Sequence, residues 1–333
     1  MTNKIDKSNL KQVIKDFPNQ FEKAFEFAKD IRVEKDFDQL VICGMGGSAL
    51  PADIVKAYLE SKGVDLNIKI CRDYNLPKSV SQNCLILASS YSGNTEETIS
   101  CLEEAKNKGL SIVGLSKGGK IQELCKQDKI PHIQYPEDGP TFQPRYALGY
   151  AFTAIITLLV NSGKVKDVSG DIIELSLYLK KLNNETKGQE IAKTLKGKVP
   201  IIYSTNKYGD SMARIVKIKI NENSKTQAFF NVFPELNHNE MVGFTNLQGD
   251  YHVIIFQDPD EHKRNLKRIE ITSKLLNEKG VPVTIIKLGG KSVLQKIFSG
   301  IIIGDWISYH LALAYEQDPT PVDMVENFKR KIE

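Results

Sequence analysis

Hydrophobic residues along the chain follow two different periods. In the first 35 residues Leu10, Val13, Ile14, Phe17, Phe21, Phe25 and Ala28 recur at three- and four-residue steps, the period of an amphipathic helix. From residue 39 the apolar positions bunch into short runs, each closed by glycine or polar residues. LVIC after Gln39, NIKIC after Leu66, CLILAS after Asn83, SIVGLS from Ser111 and HIQY after Pro131 read as strands. Helical patterns lie between them at 51–61, 96–108 and about 120–127, and Gly109 suits the C-terminal cap of the second. Buried strands alternating with helices at this spacing predict a doubly wound parallel sheet.

A long apolar helix over 145–160 closes this half, and a second helix is expected over 167–184. The polar stretch NNETKGQE from Asn183 reads as a linker or surface loop. The alternation then restarts: strand and turn from Lys198, helix 211–221, strand HVIIFQD, helix 260–278, strand VPVTIIKL and a long apolar helix over 293–315. No residue-level repeat links the halves. The expected fold is α/β with two lobes, 36–160 and 196–315, each a parallel sheet flanked by helices. An N-terminal helical segment (1–35), a helix and linker (161–195) and a C-terminal segment (316–333) complete it.

Composition narrows the class of protein. Of 333 residues, 41% are hydrophobic and 26% charged, which excludes wholesale disorder. The net charge of +4 is too small and too scattered for a nucleic-acid footprint, yet it favours an anionic small molecule. Five cysteines, all within the first 125 residues, form no CxxC pair, and several sit in apolar runs as small hydrophobes. Residues 1–20 carry no apolar leader, and no stretch reaches 18 uninterrupted apolar residues. A reduced, soluble, cytoplasmic protein is the expectation.

Two loops carry candidate chemistry. SSYSGNTEET from Ser89 joins the end of a strand to the start of a helix, where unpaired amides and a partial positive charge attract anions. Ser90, Ser92 and Thr95 add hydroxyl donors, and Gly93 allows close backbone approach. No lysine follows the glycine, so the nucleoside-triphosphate pattern is missing and a phosphate monoester fits better. A plain helix cap at Thr95 is the simpler alternative, but one cap does not need three hydroxyls. In GMGGSA, Gly44, Gly46 and Ala49 satisfy a relaxed dinucleotide fingerprint, with Asp73 near the end of the next strand. Gly46, Gly47 and Ser48 can equally present amides and a hydroxyl to a ligand, and a turn without any ligand is the third reading.

VICGMGGSA followed some forty residues later by ASSYSGNTEET resembles the first lobe of a sugar isomerase (SIS) domain. In the second half, NENSK and PELNHNEMVGF place Glu222 sixteen residues before His238, which is similar to the catalytic pair in the isomerase lobe of glucosamine-6-phosphate synthases. With QPRYALGY around Arg145 and the tail DPTPVDMVENFK, nearly the whole chain resembles the bifunctional phosphoglucose/phosphomannose isomerases of archaea and bacteria.

That resemblance implies two SIS-type lobes and a cofactor-independent aldose–ketose isomerase acting on hexose 6-phosphates through a cis-enediolate. Glu222 matches the base that shuttles the C2 proton. His238 matches the ring-opening histidine, Lys329 the lysine assisting at the ring oxygen, and Arg145 the cation stabilising the enediolate. Thr320 resembles the small hydroxyl residue that admits both C2 epimers, and Ser48, Ser90, Ser92 and Thr95 would hold the phosphate. The resemblance further implies a homodimer with His238 contributed across the interface, and a C-terminal segment that returns to the site. Glu235 and Glu240 flank His238 as rival bases. His252 and His262 read as structural, and no His/Cys set has metal-ligand spacing, so no metal is expected. A sugar-phosphate-binding regulator without turnover, an NAD-dependent oxidoreductase using GMGGSA, and an amino-sugar phosphate deaminase are the alternatives.

Overall fold

The computed structural model describes residues 2–139 and 141–332. Two short helices, α1 (Thr2–Ile5) and α2 (Leu10–Asp16), open the chain. The protein divides into two units: residues 16–180 form one, and residues up to 15 together with those from 181 onward form the other.

In the unit of residues 16–180, β1 (Gln39–Cys43), β2 (Asn67–Cys71), β3 (Cys84–Ser89), β4 (Ser111–Ser116) and β5 (His132–Gln134) make a parallel sheet in the order β2-β1-β3-β4-β5. β1 and β3 are buried along their whole length, as central strands covered on both faces must be. The helices are α3 (Asn19–Ala28), α4 (Leu50–Ser61), α5 (Glu96–Asn107), α6 (Gly119–Gln127), α7 (Leu148–Asn161) and α8 (Ser169–Lys180). α7 is buried from Leu148 to Leu159, with α3 and α4 packed against it, because its apolar residues surround the helix rather than form one stripe. On the opposite face Val41, Cys43, Ile86 and Ala88 of the sheet meet Cys101, Leu102 and Ile121 of α5 and α6. Strand order reverses between β1 and β3, so the crevice outside their carboxyl ends is the expected place for a ligand.

The other unit repeats the plan with four parallel strands, β6 (Val199–Thr205), β7 (Phe229–Phe233), β8 (Tyr251–Gln257) and β9 (Val283–Lys287), in the order β7-β6-β8-β9. Its helices are α9 (Glu185–Leu195), α10 (Arg214–Ser224), α11 (Lys263–Glu278), α12 (Val293–Ala314) and α13 (Asp323–Ile332). α12 is the one described helix long and apolar enough to cross a membrane, but 83% of its most apolar window is buried in protein, and α9 and α10 pack on it. It is a core helix. Two elements differ from the sequence expectation. β7 is an additional strand, an edge strand with only Phe233 fully buried. The polar stretch after Asn183 is the start of α9 rather than a loop. Gly188 lets that helix lie against Trp306 of α12, and Ile191, Ala192 and Leu195 supply its buried face.

Candidate active site

The hydroxyl loop after β3 is built as a rigid cradle. Ser90 is buried, and its Oγ lies 2.8 Å from Thr95 Oγ1 and 3.5 Å from Ser92 Oγ. The Gly93 amide donates to Ser90 Oγ at 3.1 Å and the Asn94 amide to Ser92 Oγ at 3.2 Å. Thr95 stands at the N-cap of α5 in extended conformation but makes no side-chain cap bond, so its hydroxyl faces its neighbours instead of the helix. The first-turn amides of α5 are thereby left to an anion.

Gly93 holds φ at 77°, and a Cβ there would collide with the Gly118 carbonyl, so only glycine closes this turn. The segment after β4 pins the loop from outside. Lys117 N donates to Tyr91 O at 2.9 Å, Ile121 N to Gly93 O at 3.0 Å and Lys120 N to Asn94 Oδ1 at 2.9 Å. The Tyr91 ring is buried beside Tyr135 and Phe142, at centroid distances of 5.1 and 5.7 Å. Asn94 and Tyr91 were not singled out from sequence; a polar residue inside a glycine turn was the available signal for Asn94.

The loop after β1 locks onto this cradle. Residues Gly46–Ser48 form one 3-10 turn, and Ser48 Oγ accepts from the Tyr91 amide at 2.9 Å. Ser89 Oγ donates to Ser48 O at 3.0 Å, and a Cβ on Gly44 would stand 2.7 Å from Ser89 O. At Gly47 a Cβ would meet the Arg145 amide nitrogen at 2.7 Å, so its absence admits the 3-10 turn Pro144–Tyr146. Arg145 is 2% exposed, its guanidinium lies 5.4 Å from the Tyr146 ring centroid, and Nη1 donates to Gln143 Oε1 at 3.4 Å. Ser48, Ser90, Ser92, Thr95, Gly46, Gly47 and Arg145 are thus joined by three contiguous segments, in which Gly44 and Gly47 permit close backbone packing.

In the other unit, Glu222 lies half-buried in the last turn of α10. Its neighbours fix that turn. Lys219 and Asp305 form a fully buried ion pair at 2.7 Å, Asn223 Nδ2 donates to Ser308 Oγ at 2.9 Å, and Ser224 Oγ donates to Ser308 O at 2.8 Å. α10 is anchored to α12 along one face, which leaves Glu222 on a rigidly placed turn rather than a fraying end. Lys225 ends the helix in left-handed conformation and donates from Nζ to the Glu222 carbonyl at 2.8 Å.

His238 ends a 3-10 turn, Glu235–His238, whose Leu236 is fully buried and whose Asn237 Nδ2 donates to Thr272 Oγ1 at 2.8 Å. The turn is held, and the imidazole is exposed. Of the rival carboxylates, Glu240 accepts from Tyr203 Oη at 2.5 Å and from Asn231 Nδ2, so its lone pairs are engaged by the fold. Burial and this carboxylate hold the Tyr203 hydroxyl well above its ordinary range. Glu235 is exposed and accepts from Asn239 at 2.7 Å. Thr320 is buried, with its amide donating to Asp318 Oδ1 at 3.1 Å. Lys329 is exposed on α13, paired with Glu326 at 2.8 Å. His252 bonds Thr284 Oγ1 at 2.8 Å, and His262 Nδ1 accepts from the Arg264 amide at the start of α11. One cluster was invisible to spacing: Cys43, Cys71 and Cys101 lie together under the first loop.

Two doubly wound units of this kind, with a hydroxyl-lined strand-to-helix turn, define the SIS class of fold. The C-terminal domain of glucosamine-fructose-6-phosphate aminotransferase from Francisella tularensis superposes with a TM-score of 0.69, covering 93% of this chain and 97% of that one at 16% identity. A family model described as the bacterial phospho-glucose isomerase C-terminal SIS domain matches residues 184–332. The bifunctional phosphoglucose/phosphomannose isomerase of Caldicellulosiruptor bescii is 38% identical over 330 residues, 95% of this chain and 96% of that protein. That of Aquifex aeolicus is 35% identical over 324 residues, 96% of this chain and 97% of that protein. The chain belongs to the bifunctional phosphoglucose/phosphomannose isomerase family.

Proposed function

We propose that this protein interconverts glucose 6-phosphate and mannose 6-phosphate with fructose 6-phosphate. The observation that carries the reading, beside family membership, is the cradle of Ser90, Ser92 and Thr95 at an uncapped helix start. Hydroxyls and amides without a lysine suit the dianion of a phosphate monoester.

The chemistry asked of the remaining residues is proton transfer, which is redox-neutral overall and needs a base, an acid and charge stabilisation. His238 takes the anomeric hydroxyl proton while the Lys329 ammonium donates to the ring oxygen, and the sugar opens. Glu222 then removes the C2 proton, the enediolate charge is met by Arg145, the hydroxyl proton passes from O2 to O1, and Glu222 returns the carbon-bound proton to C1 to give the ketose. Thr320 is proposed to tolerate either configuration at C2. We further propose, as the family resemblance implies, a homodimer in which the exposed imidazole of His238 is offered to the partner's site.

The test is a coupled assay with fructose 6-phosphate, scoring glucose 6-phosphate and mannose 6-phosphate separately. Formation of both is expected. Tight binding of fructose 6-phosphate without either product would replace the isomerase by a sugar-phosphate sensor, and ammonia release from glucosamine 6-phosphate would replace it by a deaminase.

A further inference from the structure

We propose that Cys43, Cys71 and Cys101 form a site for one thiophilic divalent cation of the zinc class, separate from the sugar-phosphate cradle. The sulfur atoms all lie within 4.8 Å of one another, and Cys71 and Cys101 are 3.8 Å apart. A tetrahedral centre with zinc–sulfur bonds of about 2.3 Å sets its sulfurs about 3.8 Å apart, so the cluster needs only small adjustments to close on a cation.

The fold places these groups deliberately close. Cys43 and Cys71 are register partners on β1 and β2, so their side chains share one face of the sheet, and α5 lays Cys101 over that face. A fourth donor is in place. The Asp73 carbonyl oxygen lies 3.3 Å from Cys101 Sγ and 3.9 Å from Cys71 Sγ, and the Asn75 carbonyl oxygen lies 3.1 Å from Cys71 Sγ. Carbonyl oxygens favour either S–H donors or a cation and oppose a bare thiolate. The cluster is therefore poised between thiols and a metal–thiolate centre, with the thiol protons released to water as the cation binds. Cys84 and Cys125 show the contrast: they are buried in the same core but outside the sulfur cluster, as small hydrophobes.

Titration of the purified, reduced protein with cobalt(II) is expected to give a thiolate-to-cobalt charge-transfer band saturating at one ion per chain and removed by zinc. No such band from folded protein overturns the proposal. Cys101→Ala should abolish the band, whereas Cys125→Ala should keep it; a band unchanged in a folded Cys101→Ala protein also overturns it. Alkylation of the wild-type protein, mapped by mass spectrometry, decides independently of whether a variant folds. Zinc at 100 times its dissociation constant should slow labelling of Cys43, Cys71 and Cys101 about 100-fold, and that of Cys84 and Cys125 by no more than this. Labelling of Cys43, Cys71 and Cys101 unchanged by zinc sinks the site.

Discussion

Each of the two sheets reverses its strand order once, between β1 and β3 in one unit and between β6 and β8 in the other, and the two crevices are filled differently. Beyond β3 lie neutral hydroxyls and a helix start that no side chain caps. Beyond β8 lies Asp258, 1% exposed, which accepts from Lys296 Nζ at 2.7 Å and from Tyr208 Oη at 2.6 Å. Lys296 also donates to Asp260 at 2.7 Å. An anion site needs donors that the protein has not already used. In the second crevice the fold supplies its own carboxylate, so the donors there are taken. Shared topology makes a place for a ligand; the residues at its rim decide whether the place stays open.

This contrast is exposed most sharply by variants that act on one unit's role only. The largest change is expected at Glu222. Glu222→Gln keeps the shape of the last turn of α10 and removes the proposed base, so kcat should fall by about 10²- to 10⁴-fold with fructose 6-phosphate binding retained. Retained turnover would move the base to Glu235.

Asp258→Asn should act on stability alone. It leaves the buried Lys296 with the exposed Asp260 as its remaining counter-charge, so the cost in urea unfolding is at most about 3–5 kcal/mol, while KM stays the same. Adding Lys296→Met should recover part of that loss, because the under-compensated buried charge is then gone. A raised KM in the single variant would mean that the second crevice also binds substrate.

Ser90→Ala with Ser92→Ala should raise KM, and should also cost about 1–3 kcal/mol of stability because the Gly93 amide loses its buried side-chain acceptor. Hydrogen bonds to a charged group are worth about 1.5–3 kcal/mol each, so a rise of tenfold or more is expected. An unchanged KM would remove the phosphate from this loop.

The smallest effect is in acid. Burial opposes ionisation of Asp258, but Lys296 and the Tyr208 hydroxyl outweigh it and hold the carboxyl below its ordinary value of 3.8. A lowered folded pKa means that its stabilisation is complete above the ordinary value and is lost as pH falls through the folded one. Wild-type protein should therefore lose stability more steeply below about pH 4 than the Asp258→Asn, Lys296→Met variant, as followed by urea unfolding at stepped pH. Parallel acid limbs would count against this assignment.

Much of this was legible in the residues. Central strands buried on both faces read as continuous apolar runs, which is why β1, β3, β4, β6 and β8 are visible in the sequence. The edge strand β7, four of whose five residues are only partly buried or exposed, is not among them. The start of α9 reads as a loop because its polar residues come first, and Gly188 looks like a breaker until Trp306 is seen against it. Ser90, Ser92 and Thr95 stood out because a short loop brings them together without help from the rest of the chain.

By itself, then, the sequence determined the alternation of strands and helices, the hydroxyl loop and the membership of the chain in its family, since these depend on period and on groups only a few residues apart. Tertiary structure alone decided that Thr95 turns from the helix cap toward Ser90, and that Glu240 is engaged by Tyr203 and Asn231. It also decided that the second crevice is closed by Asp258 and Lys296, and that Cys43, Cys71 and Cys101 share one pocket. The reason is physical: hydrogen bonds, ion pairs and ligand geometry act over a few ångströms. Strand register and helix packing bring residues within that distance whatever their separation along the chain.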